Sequence, residues 1–343
     1  MEEKWQNPHR RWNPLRRSWV LVSPHRAQRP WQGQVEQKQV PAAVSYDPEC
    51  YLCPGNKRAG GAQNPVYEGV FSFVNDYAAL LPDAHQDEAA ASPLLRAEPA
   101  RGLCKVLCFH PNHSLTLALM ARAEIRAVVD AWTRECQEAG GLPWVEYVQI
   151  FENRGAAMGA SNPHPHCQVW FTGFLPEEPA AETAAQSEYL ARTGRCLLCD
   201  YLETERGTGE RVVFENEHFT ALVPWWAVWP FEVLLVSRRH AGALPQFTGA
   251  ERDGLADVLK RLTTRYDNLF ETSFPYTMGF HQKPAMEKDY PEWHFHAHFY
   301  PPLLRSATVS KFMVGFEMLG MPQRDITPES AAARLRACSE QHF

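Results

Sequence analysis

Two Cys-x-x-Cys pairs, Cys50-Tyr-Leu-Cys53 and Cys196-Leu-Leu-Cys199, open two stretches of chain that carry the same parts in the same order. Such a repeat limits the fold more than local propensity does, because each copy must build the same small structure. After the first pair come the strand-like FSFV ending at Asn75, the β-rich run CKVLCF and His113. After the second come RVVFEN ending at Asn216, FEVLLV and His240. A helical stripe follows each His: Ile125, Val128, Val129, Trp132 and Cys136 in one copy, Leu255, Val258, Leu259, Leu262, Tyr266 and Leu269 in the other. Both have the three-and-four spacing of a helix with one buried face. Each helix leads to a β-rich run, WVEYVQIFEN or FPYTMGF, a Gly/Pro-containing loop, and a strand of alternating His, either His164-Pro-His166 or His294-Phe-His296-Ala-His298. Period two places those His on one face.

The expected fold is therefore α+β, two halves each of antiparallel sheet with helices packed on it, forming one body. The halves span residues 1–174 and 196–343, with an Ala, Glu and Pro-rich connector over 175–195 that crosses the surface. The intervals differ, 51 residues from His113 to His164 against 56 from His240 to His296, so the repeat is one of architecture. The first 45 residues and the tail after Pro301 carry many Arg and read as arms that wrap a site or another subunit.

A net charge of −6 argues against a surface that grips nucleic acid by its phosphates, so any anion must be bound locally. The N-terminus has no apolar signal core, and the most apolar stretch, Val223–Val236, holds Glu232, Pro224 and Pro230 and is too short to span a bilayer. The expectation is a cytoplasmic protein that binds no membrane. Nine Cys, an odd number, fit a reducing compartment where thiolates stay available for metal or fill core.

Cys50 and Cys53 offer half of a tetrahedral zinc site, with His113 and His164 as candidates for the rest; buried thiols beside unrelated His are the plainer account. In Asn162-Pro-His164-Pro-His166-Cys-Gln168, residues 164, 166 and 168 share a face, and two prolines suggest an edge strand. Neutral imidazole attacks phosphorus and leaves again, which suits covalent nucleotidyl transfer. Gln168 donates a hydrogen bond but neither protonates a leaving group nor activates water, which favours transfer over hydrolysis. Metal ligation or strand polarity would equally account for these His. The loop Asn153-Arg-Gly-Ala-Ala-Met-Gly-Ala-Ser161 is small enough for backbone N–H groups to cradle an anion, with Ser161 as a further donor. His281, His296 and His298 would converge with one carboxylate on a second cation, or face solvent. Trp225, Trp226, Trp229 and Trp293 are assigned to packing.

The blocks FENRGAAMGASNPHPHCQVW, FPYTMGFH, WHFHAHFYPPLLRSATVSKFMVGFEML and HRRWNPL…WVLVSPHRAQRPWQG resemble the galactose-1-phosphate uridylyltransferase family of the histidine-triad superfamily, over nearly the whole chain. The resemblance implies two histidine-triad-like halves and a ping-pong exchange of UMP between UDP-glucose and galactose 1-phosphate. His166 is the implied nucleophile, and Gln168 and Ser161 would contact the phosphoryl oxygens. It implies zinc on Cys50, Cys53, His113 and His164, and a second structural metal, iron or zinc, on Glu182, His281, His296 and His298. Substrate contacts fall on Arg26, Ala27, Gln28, Arg29, Ala59, Asn75, Asp76, Asn153, Gln168, Lys311, Phe312, Phe316, Glu317 and Gln323, with the two arms shared across a homodimer. Cys196 and Cys199 lie outside the family's best-known metal pattern; either they form a further zinc site with His240 and His294, or they are buried thiols. The competing readings are a related adenylyl-sugar transferase or phosphorylase and a non-catalytic, metal-stabilised nucleotide-binding protein.

Overall fold

The computed structural model describes residues 5–28, 44–84, 92 and 94–343 of the chain. The N-terminal arm is a hairpin of β1 (His9–Asn13) and β2 (Ser18–Val22) followed by a 3-10 turn over Pro24–Gln28. The first half contains β3 (Phe71–Val74), β4 (Gly102–Cys108), α1 (Arg122–Ala139), β5 (Tyr147–Arg154) and β6 (His166–Thr172). Helix α2 (Glu177–Thr193) leads to the second half: α3 (Leu197–Thr208), β7 (Val212–Glu215), β8 (Phe219–Leu222), β9 (Val233–Ser237), α4 (Gly249–Phe270), β10 (Tyr276–His281) and β11 (His296–Tyr300). The C-terminal arm adds β12 (Leu303–Ser306), β13 (Val309–Ser310), α5 (Phe316–Leu319), β14 (Gln323–Arg324) and α6 (Pro328–Ala337).

Both halves share one nine-stranded sheet in the order β3-β4-β6-β5-β10-β11-β9-β8-β7. Counted inward from each edge, β4, β6 and β5 occur in the same succession as β9, β11 and β10, so the duplication read from the sequence is built into the sheet. The halves meet where β5 and β10 pair antiparallel, Phe151 opposite Gly279. A Cβ at Gly279 would lie 3.2 Å from the Ile150 carbonyl oxygen, which suits glycine to that seam.

Strand alternation divides the sheet into a helix face and a site face. Ile150, Val169, Phe171, Val233, Leu235, Met278, Phe280, Ala297 and Phe299 join one core with the stripes of α1 and α4. Each Val, Leu, Ile, Met or Phe side chain so removed from water contributes about 1.5–3 kcal/mol. The two helices are cross-linked by reciprocal ion pairs, Arg122 to Asp257 at 3.0 Å and Arg252 to Asp130 at 2.8 Å. Helix α4 begins at a capping box in which the Thr248 hydroxyl accepts the Glu251 N–H and the Glu251 carboxylate accepts the Thr248 N–H. On the opposite face, Leu222, Leu234 and Val236 pack with α3 and with Leu15 and Val20 of the arm, while Val106 and Cys108 pack with the Cys50–Cys53 turn.

One expectation needs correction and another gains detail. The His166 strand is not an edge strand, because β6 lies between β4 and β5. Pro165 stands just before it, where its missing N–H interrupts no ladder and its carbonyl accepts the Phe109 N–H. The 175–195 connector is mostly a helix: it opens with Glu177 and Glu178 near its positive end and stops at Gly194, whose φ of +70° is left-handed. One face of α2 is buried against the second half, which carries Glu182 inward.

Candidate active site and metal centres

The site face bears three clusters in which ligand atoms of four residues all lie within 4.8 Å of one another: Cys50–Cys53–His113–His164, Cys196–Cys199–His240–His294 and Glu182–His281–His296–His298. In the first, the Cys53 sulfur stands 3.5 Å from Nδ1 of both His113 and His164, and the Cys50 sulfur 4.0 Å from Nδ1 of His164. A zinc tetrahedron with the usual bond lengths has S···N edges of about 3.6 Å, so the donors already sit at its corners. The His164 Nε2–H donates to the His110 carbonyl at 2.9 Å, which leaves Nδ1 as the lone pair facing the sulfurs. All four residues are buried, and burial pushes the Cys53 thiol up to about 11 and the His164 imidazole down to about 4. Thiolates in so dry a place need a cation, and a divalent metal fits the donor set.

In the third cluster the Glu182 carboxylate stands 2.9 Å from His281 Nδ1, 3.2 Å from His296 Nε2 and 3.5 Å from His298 Nε2. The His296 and His298 Nε2 atoms are buried without a hydrogen-bond partner, as expected of nitrogens aimed at a cation. One carboxylate with three imidazoles suits iron or zinc.

His166 is the first residue of β6, opposite Cys108 on β4. Its Nδ1 is 2.7 Å from the His164 carbonyl, which only accepts, so Nδ1 carries the proton and Nε2 keeps its lone pair. Burial lowers the imidazole's affinity for a second proton, opposed by that bond. The side chain remains partly open to solvent. Gln168, two residues on along the same face, has its Oε1 occupied by the Trp170 Nε1–H at 2.8 Å. An indole donor can pair only with the amide oxygen, so the Gln168 NH2 group is the end left to donate. On β5, Asn153 Oδ1 accepts the Thr277 hydroxyl at 2.9 Å across the seam between halves.

The glycine loop holds left-handed turns at Gly155 and Gly159, φ +82° and +75°. The N–H groups of Met158, Gly159 and Ala160 are used within its own turn, so as a cradle it offers less backbone than the sequence suggested. Ser161 is exposed at its exit. Asn75 follows β3, and Asp76 accepts the Gly60 N–H at 3.2 Å beside Arg58, which fixes the backbone next to Ala59.

The arms form one unit. β14 pairs with β2, and Asp325 accepts from both Arg26 at 3.2 Å and Gln323 at 2.6 Å. Lys311 bridges the Glu317 carboxylate and the Gln323 carbonyl. Phe312 and Phe316 are more than half exposed. Ala27 and Gln28 lie in the Pro24–Gln28 turn, and Arg29 falls outside the described residues. Trp170, Thr277 and Asp325 were missed in the sequence because their roles depend on cross-strand and arm-to-arm pairing. The carbonyl of His110 had no sequence signal at all.

The matched halves, the shared sheet and the His-rich strands define an α+β protein built from two duplicated, histidine-rich halves. The fold overlays a solved uridylyltransferase with a TM-score of 0.76, 28% identity, and 96% and 98% of the two chains covered. It also overlays an ADP-glucose phosphorylase from Arabidopsis thaliana with bound ADP-glucose, TM-score 0.75 and 23% identity over 97% of this chain and all of that one. Residues 1–176 match the family described as galactose-1-phosphate uridyl transferase, N-terminal domain, and residues 182–343 its C-terminal domain. The galactose-1-phosphate uridylyltransferase of Haemophilus influenzae is 54% identical over 99% of this chain and 97% of its own, and that of Rattus norvegicus 54% over 98% and 89%. The chain belongs to the galactose-1-phosphate uridylyltransferase family.

Proposed function

We propose that the protein exchanges UMP between UDP-glucose and galactose 1-phosphate through a covalent uridylyl-His166 intermediate. His166 Nε2 attacks the α-phosphorus; the bond from that phosphorus to the bridging oxygen breaks, and glucose 1-phosphate leaves with the bond's electrons. The imidazole, now bonded through Nε2 and still protonated at Nδ1, carries a positive charge that the His164 carbonyl stabilises. A phosphate oxygen of galactose 1-phosphate then attacks the same phosphorus, forms UDP-galactose and returns His166 to neutrality. Proton transfer is not needed in either step, which agrees with Gln168 as a donor without acid–base capacity. The observation that carries this reading is the 2.7 Å bond from His166 Nδ1 to the His164 carbonyl, which leaves Nε2 with its lone pair for attack.

In this reading Ser161 and Gln168 contact the phosphoryl oxygens, and Asn75, Asp76, Asn153 and the backbone at Ala59 hold the nucleotide. Arg26, Ala27, Gln28, Arg29, Lys311, Phe312, Phe316, Glu317 and Gln323 act from the arms across a homodimer. A second copy is supported by the exposed apolar strap of the C-terminal arm, with Phe316 56% and Leu319 91% exposed. Zinc belongs with Cys50, Cys53, His113 and His164, and iron or zinc with Glu182, His281, His296 and His298. When bound, the metals would hold together the elements that carry their ligands and so would stiffen the site. Nine free cysteines support a cytosolic setting, and no helix among the described residues is long and apolar enough to cross a membrane.

The test is isotope exchange: labelled glucose 1-phosphate should enter UDP-glucose without galactose 1-phosphate present, as a ping-pong route requires. Exchange that needs both sugars bound would overturn it, and a preference for ADP-glucose would reassign the base.

A further inference from the structure

The second Cys-x-x-Cys pair repeats the geometry of the first, atom for atom. The Cys196 and Cys199 sulfurs stand 3.6 and 3.4 Å from His294 Nδ1, and Cys199 stands 3.6 Å from His240 Nδ1. These again are the S···N edges of a zinc tetrahedron, about 3.6 Å. The His294 Nε2–H donates to the Ser237 carbonyl at 2.6 Å, as that of His164 does to His110, so Nδ1 faces the sulfurs in both halves. His294, not His296, is thus the counterpart of His164, which shifts the register expected from the sequence by two residues. Its neighbour obeys the same rule: His296 Nδ1 is 2.8 Å from the His294 carbonyl, and His166 Nδ1 is 2.7 Å from that of His164.

We infer that Cys196, Cys199, His240 and His294 bind a zinc ion of their own, a third metal centre distinct from the clusters at Cys50 and Glu182. Its position gives it a task. It ties the start of α3, the end of β9 and the entry of β11 together, and through the His294 carbonyl it fixes the ring of His296 for the Glu182 centre. Cys50, Cys53, His113 and His164 are all buried, whereas Cys199 is half-buried and His240 exposed, so this ion is the more accessible of the two thiolate-bound ones.

The two Cys₂His₂ centres can be counted apart from the Glu182 centre, which contains no sulfur. Intact protein equilibrated with Zn²⁺ and freed of excess is titrated with a mercurial thiol reagent while released zinc is read with a metallochromic dye. About two zinc equivalents per chain should be released by thiol blocking, and about one from a Cys196→Ser, Cys199→Ser variant or from His294→Gln. Release of one equivalent from the parent protein, or a Cys196–Cys199 disulfide found by mass spectrometry of the freshly isolated protein, would overturn the assignment. Because the parent count decides the matter by itself, a variant that fails to fold does not protect it.

Discussion

A neutral imidazole attacks through whichever nitrogen lacks a proton, and at His166 a single carbonyl makes that choice. The same economy applies at Gln168, where Trp170 takes the amide oxygen and leaves the NH2 end to donate. Replacing Gln168 with Glu keeps the indole bond but turns the donor into an anion facing phosphate. Loss of one such donor costs about 10²–10³ in turnover, so steady-state rates of Gln168→Glu should fall by at least about a hundredfold. A fall of less than about threefold would remove Gln168 from the phosphoryl contacts. At this scale the sequence was most legible: the spacing of His166 and Gln168 set them on one face of a strand, and both lie on β6 two residues apart, while His164 sits just before the strand. Trp170 was present in the same block, yet its part depends on a side-chain rotamer that no spacing rule specifies.

Elements were legible where hydrophobic period governs and less so where partners do. Helices α1 and α4 lie where their stripes predicted, with Ile125, Val128, Val129, Trp132, Leu255, Val258, Leu259, Leu262 and Tyr266 all fully buried. The prolines around His164 suggested an edge strand because proline is costly in a ladder. The structure avoids that cost by ending the prolines before β6 begins. The connector's composition signalled surface but not helix, and only the fold brings its Glu182 against three His. The cap of α4 yields a pH prediction. The Arg239 guanidinium, followed by the Thr248 N–H, holds the Glu251 carboxyl down at about 2. A carboxyl depressed in the folded state contributes stability above its ordinary pKa of 4.5 and loses it as pH falls toward 2. Glu251→Gln should therefore melt below the parent near neutral pH, with the gap closing as pH drops through that window. A gap of constant size in thermal scans would mean that the charge contributes nothing.

For the molecule as a whole, the sequence pointed to duplication, and the sheet shows how it is used. Two equivalent halves present equivalent strands to one face, yet one keeps His166 followed by Gln168 while the other carries His296 and His298 beside Glu182. The arms pack on each other and on the second half, with Arg11 bonding Glu329 of α6 at 2.9 Å and stacking 3.8 Å over Trp225. The proposed sharing of arms between subunits predicts complementation. His166→Gly and Lys311→Ala chains, each nearly inactive alone, should regain activity when unfolded together and reassembled, because one site of each mixed dimer receives both intact parts. No recovery in mixed dimers of verified composition would confine each site to one chain.

The central claim, that UMP rests on His166 between half-reactions, is tested most directly by incubating the protein with UDP-glucose labelled at the α-phosphate, quenching with base and mapping the label. The account predicts an acid-labile, base-stable label on the peptide carrying His166, removed by galactose 1-phosphate as labelled UDP-galactose and absent from His166→Gly. An active protein that carries no label, or carries it at another residue, would contradict the account.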